Sequence, residues 1–234
     1  DEYAEAFERG VHVTLDNVQP LAEHPDVFAD ETIFVRVDPG QGHGHHRHVR
    51  TAGAQSKFGV VPDELGRLRA AAERAGTTVR GLHVHVGSGI TEEETWADLV
   101  AFLASLAGDF PHVDTINVGG GLGVPDRPGA PPVDPAALEE QLAVAAEQHP
   151  QVALWMEPGR YLVAEAGVLL ARVTQTKDKG TVRYVGLDTG MNSLLRPALY
   201  GAYHEIVNLT RLEEAPSTIV DVVGPICETG DGLG

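Results

Sequence analysis

The chain has 234 residues and a formal net charge of −17, because 34 acidic side chains outnumber 17 basic ones. Only Lys57, Lys177 and Lys179 are lysines. So acidic a chain lacks the basic face that nucleic acids and anionic membranes require, and we expect neither as a partner. A single cysteine, Cys227, excludes an internal disulfide framework. The lack of a long apolar span or signal-like leader predicts a cytoplasmic protein.

Short apolar strands alternate with amphipathic helices over most of the chain. We predict strands at 10–15, 32–37, 79–86, 115–118 and 152–156, helical segments at 18–21, 62–76, 91–107 and 135–147, and a polar hairpin at 175–180. Thr91 is the predicted N-cap of its helix, with Glu94 completing a capping box. Because helices separate the strands, the strands should be parallel, with their following turns at one carboxyl-terminal edge. This pattern predicts an α/β fold, a partial (β/α) barrel.

Residues 42–48 contain four of the eleven histidines. Histidine is a common metal ligand, but the surrounding glycines and the lack of helical i, i+4 spacing favour a mobile loop of the kind that acts as a lid. We therefore predict no metal site.

Three of the predicted strands end in turns of small residues that carry polar groups. These turns are Gly87–Gly89, Gly119–Gly121 and Glu157–Arg160. On the strand before the first turn, alternation places His83 and His85 on one face. Each feature alone also has an ordinary explanation: a tight glycine turn, satisfied core histidines, or a solvated charged turn.

Taken together, the three turns suggest a single ligand. Glycines can bring bare backbone N–H groups close to a phosphate, and the Ser88 hydroxyl can add another contact. His85 can lie against a flat ring. Glu157 can pair with a ring nitrogen, which is how a protein keeps a pyridine ring protonated as an electron sink.

Five motifs, in order along the chain, resemble those of the fold type III decarboxylases that depend on pyridoxal 5′-phosphate (PLP). The motifs are His83–Gly89, Gly119–Gly121, Glu157–Arg160, Met191–Asn192 with Arg196–Tyr200, and Gly224–Asp231. The resemblance covers essentially the whole chain, and within the family it is strongest to the diaminopimelate decarboxylases. The His-rich loop before Ser56–Gly59 and the Cys227–Gly230 segment are also similar to the decarboxylase half of aspartokinase–decarboxylase fusions.

The resemblance implies a role for each motif. The implied PLP contacts are His85, which stacks on the ring, Ser88, Gly119, Gly120, Gly121, Glu157 on the pyridine nitrogen, Pro158, Gly159 and Arg160. The implied substrate contacts are Arg160, Arg196 and Tyr200 for a carboxylate and Glu228 for the distal ammonium. Cys227 is implied as the proton donor, acting with His85 and Glu157. The implied reaction converts meso-2,6-diaminopimelate, a small amino acid, to L-lysine and CO2, in a homodimer whose Cys-Glu segment reaches the neighbouring subunit's site.

Residue chemistry alone leaves alternatives open. Arg196 can be a surface charge, and Cys227 can be a small buried hydrophobic residue, the commoner fate of a free cysteine. A decarboxylase of ornithine, arginine or a carboxy-polyamine is a second possibility, although Arg196 and Tyr200 would then lack a distal carboxylate to bind. A non-catalytic PLP-binding or regulatory relative is the third.

The resemblance also predicts how the chain is divided. Residues 1–165 would be a partial PLP-binding barrel without its first strands, and residues 166–234 the start of a C-terminal β domain. The family's Schiff-base lysine lies on an early barrel strand, and none of the three lysines matches its motif. We therefore expect an internal fragment, with that lysine upstream of Asp1. Such a fragment should be inactive and, with two unpaired sheet edges, marginally folded or prone to aggregate.

Overall fold

The computed structural model describes residues 2–40, 56–125 and 127–234. They form two compact units, one containing the chain up to Val124 with Pro132–Ala164, the other Pro125–Pro131 with Glu165–Gly234. Within the described residues, every helix is too short or too polar to span a bilayer. The predicted His-rich loop at 42–48 lies outside the described residues.

The first unit alternates strands and helices, as its hydrophobic pattern predicts. Its strands are β1 (Val13–Leu15), β2 (Thr32–Arg36), β3 (Thr78–His83), β4 (Thr115–Asn117) and β5 (Ala153–Trp155). Its helices are α1 (Glu2–Glu8), α2 (Gln19–Glu23), α3 (Pro25–Phe28), α4 (Leu65–Ala75), α5 (Glu94–Ala107), α6 (Pro135–Gln148) and α7 (Gly159–Val163), with a 3-10 turn at Pro62–Glu64.

The five strands form one sheet in the order β1-β2-β3-β4-β5, and every neighbouring pair is parallel. The predicted α/β fold with parallel strands is therefore confirmed. In the described residues the sheet is open, with β1 and β5 at its edges. The carboxyl ends of all five strands meet at one edge, where ligands of parallel sheets bind.

Register places the last residues of neighbouring strands side by side. Arg36 pairs with His83, His83 with Asn117, and Asn117 with Trp155. Residues paired in register project to the same face of the sheet, so this row carries three polar side chains to one place.

The opposite face of the sheet is apolar and packs on helices. Leu82 and Val84 are fully buried, in one cluster with Val35 from β2 and with Trp96 and Leu103 from α5. Burying side chains of this size stabilises the fold by about 1.5–3 kcal/mol each. The predicted alternation holds at the end of β3, where His83 and the aliphatic Leu82 and Val84 lie on opposite faces.

Two helix ends are capped by residues of the type that favours that position. Gly76 takes a left-handed conformation (φ 70°) after α4, and its N–H caps the helix by donating to the carbonyls of Ala72 and Glu73. The Asp134 side chain caps α6 by accepting from the backbone N–H of Ala136 at 2.9 Å.

The predicted capping box at Thr91 is wrong. Helix α5 begins at Glu94, and Glu93 occupies the N-cap position with no side-chain hydrogen bond. The cause is the preceding residue: Ile90 N–H donates to Gly121 O, and Ile90 O accepts from Gly123 N–H. These bonds hold the chain against the glycine loop, so the helix starts only after the chain has left that loop.

The second unit contains a small sheet, formed by β6 (Val173–Asp178), β7 (Arg183–Leu187) and β8 (Asp221–Val223). It also contains α8 (Arg196–Tyr200) and a 3-10 turn at Leu209–Arg211. Strands β6 and β7 are antiparallel, which confirms the predicted hairpin, and β8 joins β7 in parallel.

Candidate active site

The glycine turn after β4 is wedged between the turns that follow β3 and β5. A Cβ atom added to any residue of Gly119–Gly121 would approach a neighbouring backbone oxygen to less than 3.0 Å. Those oxygens belong to Val84, Glu157 and Gly87, respectively. Glycine is therefore required here because three turns pack backbone against backbone, which a tight turn by itself would not require.

Hydrogen bonds fix the three turns to one another. Glu157 N–H donates to Gly119 O at 2.9 Å, and Ile90 N–H donates to Gly121 O at 2.9 Å. The Arg160 guanidinium, on α7, donates from Nη2 to the Ser88 hydroxyl. The polar residues of all three predicted turns therefore lie together at one edge of the sheet.

His85 lies just beyond β3 and is oriented by the glycine turn. Its Nδ1 accepts a hydrogen bond from Gly120 N–H at 3.3 Å. Because a backbone amide can only donate, Nδ1 is unprotonated and the neutral ring carries its proton on Nε2. Burial, and then the positive charge of Arg36, lower the pKa of His85, which favours the neutral ring.

Glu157 is bonded through one carboxylate oxygen. Asn117 Nδ2 donates to Oε1 at 2.9 Å, and His83 Nε2 lies 3.4 Å from the same atom. Interaction with His83, followed by Asn117, lowers the pKa of Glu157 from 4.5 to about 2 against the opposing effect of burial. Glu157 is thus ionised across the neutral pH range.

The sequence interpretation missed two residues of this site. Asn117 was treated as part of an apolar strand, although it is buried and bonds Glu157. Arg36, at the end of β2, packs its guanidinium 4.4 Å from the centre of the Phe58 ring and donates from Nη2 to His85 O at 3.4 Å. Both are polar residues at the end of an otherwise apolar strand, and this pattern was the signal that could have identified them.

The remaining predicted residues lie in the second unit. Arg196 and Tyr200 are partly buried at the two ends of α8, and Arg196 Nη1 lies 3.4 Å from His204 Nε2. Cys227 and Glu228 are exposed. The exposure of Cys227 contradicts the alternative of a buried, hydrophobic residue.

A buried carboxylate organises the loop that carries Cys227. Asp231, only 3% exposed, accepts from Met191 N–H at 2.6 Å through Oδ1 and from Ile226 N–H at 2.8 Å through Oδ2. The carboxylate fits there because Gly190 and Gly224, the residue after β8, have no side chains to occupy the same space. Asp231 thus ties the Met191 turn to the residue before Cys227, a role that the sequence did not reveal.

Comparison with known proteins identifies the family of this chain. A family profile described as "Pyridoxal-dependent decarboxylase, pyridoxal binding domain" matches residues 1–164. The chain belongs to the pyridoxal-dependent decarboxylase family. The predicted resemblance and the predicted cofactor, PLP, are confirmed.

The individual proteins that are similar to this chain include several diaminopimelate decarboxylases. The diaminopimelate decarboxylase of Methanothermobacter thermautotrophicus is 36% identical over 245 residues, covering 99% of this chain and 56% of that protein. A crystal structure of diaminopimelate decarboxylase matches with a TM-score of 0.89 and 33% identity, covering 99% of this chain and 57% of that one. The Helicobacter pylori enzyme complexed with L-lysine matches at 0.86 and 27% identity, over 99% and 60% of the two chains. This chain thus spans little more than half the length of these relatives.

The residues of the first unit fit the family's cofactor. Among the described residues, the backbone amides of Ser88, Gly89 and Gly121 have no hydrogen-bond acceptor, so two adjacent turns present donors suited to a phosphate. Glu157 Oε2 receives no hydrogen bond from the described residues, so it can accept one from a ring N–H. Within the same residues, no cluster of three or more His, Cys, Asp or Glu side chains could hold a metal ion.

Proposed function

We propose that the protein containing this chain decarboxylates meso-2,6-diaminopimelate to L-lysine, with PLP as its cofactor. The observation that carries the proposal is the convergence of three turns on one edge of the sheet, with an ionised Glu157 beside glycine amides. The relatives support the substrate, since they are diaminopimelate decarboxylases and one of them was solved with L-lysine.

The first unit binds and orients the cofactor in this proposal. The amides of Ser88, Gly89 and Gly121, with the Ser88 hydroxyl, hold its phosphate, and His85 lies against its ring. Pro158 and Gly159 start the short helix α7, which carries Arg160 to Ser88. When bound, PLP supplies an electron-accepting ring that stabilises the electron pair left by the departing CO2. Glu157 maintains the positive charge of that ring by accepting its N–H at Oε2.

The second unit supplies the substrate contacts in this proposal. Arg196 binds a substrate carboxylate with the two-point geometry that guanidinium groups favour, assisted by the Tyr200 hydroxyl, and Arg160 of the first unit is a further carboxylate contact. Glu228 accepts from the distal ammonium. Cys227 donates the proton that replaces the lost carboxyl group at Cα, for which its exposed sulfur is suited.

We further propose that the protein works as a cytoplasmic homodimer, with the Cys227–Glu228 segment of each subunit completing the partner's site. The exposure of both residues in the single chain supports this assembly, because a proton donor must be enclosed when it acts. The division into a PLP-binding unit and a β unit, near residue 165, is part of the same proposal.

A substrate panel tests the function. Purified full-length protein loaded with PLP is assayed for CO2 and amine product with meso-2,6-diaminopimelate, L-ornithine, L-arginine and carboxyspermidine. We expect equal amounts of CO2 and L-lysine from diaminopimelate, and kcat/KM lower by about 10²-fold or more for the others, because they leave Arg196 and Tyr200 without a distal carboxylate to bind. A preference for ornithine, arginine or the carboxy-polyamine would contradict the substrate. Bound PLP without CO2 release from any substrate would contradict the decarboxylase.

A pair of arginine variants tests the substrate contact. Arg196→Leu is expected to raise KM for diaminopimelate by at least about tenfold, since a charge-assisted bond is lost. Arg211→Leu is the matched control, because Arg211 is an exposed arginine of the same unit whose partner is Glu214. Equal KM values in the two variants would remove Arg196 from the substrate site.

A further inference from the structure

Asn117 bonds two parts of the site at once. Its Oδ1 accepts from Gly119 N–H at 3.0 Å, at the start of the glycine turn, and its Nδ2 donates to Glu157 Oε1 at 2.9 Å. The side chain is 7% exposed, so water does not compete for these bonds. One amide thus connects the phosphate side of the site to the carboxylate side.

His83 approaches the same carboxylate oxygen from the neighbouring strand. It is 6% exposed and in register with Asn117. Its Nε2 is 3.4 Å from Glu157 Oε1, at ion-pair distance but without the geometry of a regular hydrogen bond. Among the described residues, neither ring nitrogen of His83 has another polar partner. A buried histidine without other partners needs a reason to be there, and the carboxylate provides it.

Both contacts engage Oε1 and leave Oε2 untouched by the described residues. The Glu157 side chain is itself 52% exposed, so packing alone does not fix its orientation. A half-exposed carboxylate with one oxygen hydrogen-bonded to Asn117 and lying 3.4 Å from the buried His83 ring can turn very little. The orientation of Oε2 is therefore fixed as well.

We propose that Asn117 and His83 are positioning residues that clamp Oε1 of Glu157, so that Oε2 faces the nitrogen of the PLP ring. The inference depends on the proposed pairing of Glu157 with that nitrogen. Neither residue touches the cofactor or the substrate in this account. Their effect is to make the carboxylate ready for the ring N–H before PLP binds, so that no orientational freedom is lost on binding.

The test compares PLP with 1-deazapyridoxal 5′-phosphate, in which a C–H group replaces the ring nitrogen. Dissociation constants for both are measured by absorbance or fluorescence titration of the full-length protein. The wild type should bind PLP more tightly, since only PLP offers a partner to Oε2. The near-isosteric Asn117→Leu and, separately, His83→Phe should each reduce this preference by about tenfold. Two independent variants keep the test decisive if one does not fold.

The ratio of the two dissociation constants, for PLP and for its 1-deaza analogue, separates a positioning role from general structural damage. Loss of the Gly119 bond in Asn117→Leu weakens the phosphate side for both compounds equally, so it cancels in the ratio. Asn208→Leu is the matched control, because Asn208 accepts an equivalent bond from the N–H two residues ahead, on Thr210, in the other unit. Its ratio should equal that of the wild type.

The outcomes distinguish this inference from the proposed function. A wild-type preference for PLP that survives in both Asn117→Leu and His83→Phe would overturn the clamp, whatever the substrate. A wild type without any preference would overturn it as well, since Oε2 would then not bind the ring nitrogen. The proposed function fails separately, if the wild type forms no lysine from diaminopimelate.

Discussion

Replacing Gly120 with alanine tests whether the three turns pack as described. Gly120 needs no left-handed backbone, so the substitution acts only through its added methyl group. That methyl would lie closer than 3.0 Å to Glu157 O, a distance that Cβ atoms essentially never reach, and would force the two turns apart by roughly half an ångström. Overpacking of this kind costs about 1–3 kcal/mol.

The displacement acts on both ends of the cofactor site. It moves Glu157, and it weakens the bond from Gly120 N–H that orients His85. Since a misplacement of about 1 Å can reduce a rate about 10²-fold, we expect kcat to fall about tenfold and PLP binding to weaken by a similar factor. Steady-state kinetics, PLP titration and denaturant unfolding of the full-length protein measure these three effects.

Gly108→Ala provides the control for the same exchange. Gly108 follows α5 in helical conformation, and nothing lies within 4 Å of an added Cβ. Alanine there should stabilise the protein by about 0.4–1 kcal/mol or leave it unchanged. If Gly120→Ala matched this control in stability and PLP affinity, the description of interlocked turns would be refuted.

Three further variants test individual residues. Because the pKa of Glu157 is lowered to about 2, its charge and the stability it contributes are complete above about pH 4.5 and are lost only as the pH falls towards 2. Glu157→Gln should therefore reduce kcat by the same large factor at about pH 6 and about pH 8 while PLP stays bound; unchanged turnover would remove its role as electron-sink partner. Cys227→Ala should lower kcat with little effect on PLP affinity, and an equal loss of both would argue for a structural role. Asp231→Ala leaves the N–H groups of Met191 and Ile226 unpaired, and should destabilise the protein by about 2 kcal/mol or more in denaturant unfolding; an unchanged midpoint would contradict the described anchor.

The sequence predicts the strands and turns that form the site well, because local sequence patterns determine them. Apolar strands separated by amphipathic helices favour a parallel sheet, and parallel strands bring their following turns to one edge. Gly119–Gly121, Ser88 and Glu157 were therefore expected to meet, and the structure places them together. The family resemblance then supplied the identity of the ligand.

The connections within the site could not be predicted in the same way. Strand register decides that Asn117 lies beside His83, and register depends on pairing across the sheet that no single strand encodes. The capping box at Thr91 failed for a related reason, since a bond between Ile90 and the distant glycine loop overrides local helix preference. The buried role of Asp231 depends likewise on residues 40 positions apart in sequence.

A crystal structure of the full-length protein with PLP and L-lysine tests the central claim most directly. We predict that Glu157 Oε2 lies about 2.7–2.9 Å from the ring nitrogen, with the phosphate against Gly119–Gly121 and the Gly87–Gly89 turn. Glu157 Oε1 should keep its bond to Asn117. A ring whose nitrogen faces any other group, or a phosphate bound away from these glycines, would contradict the account.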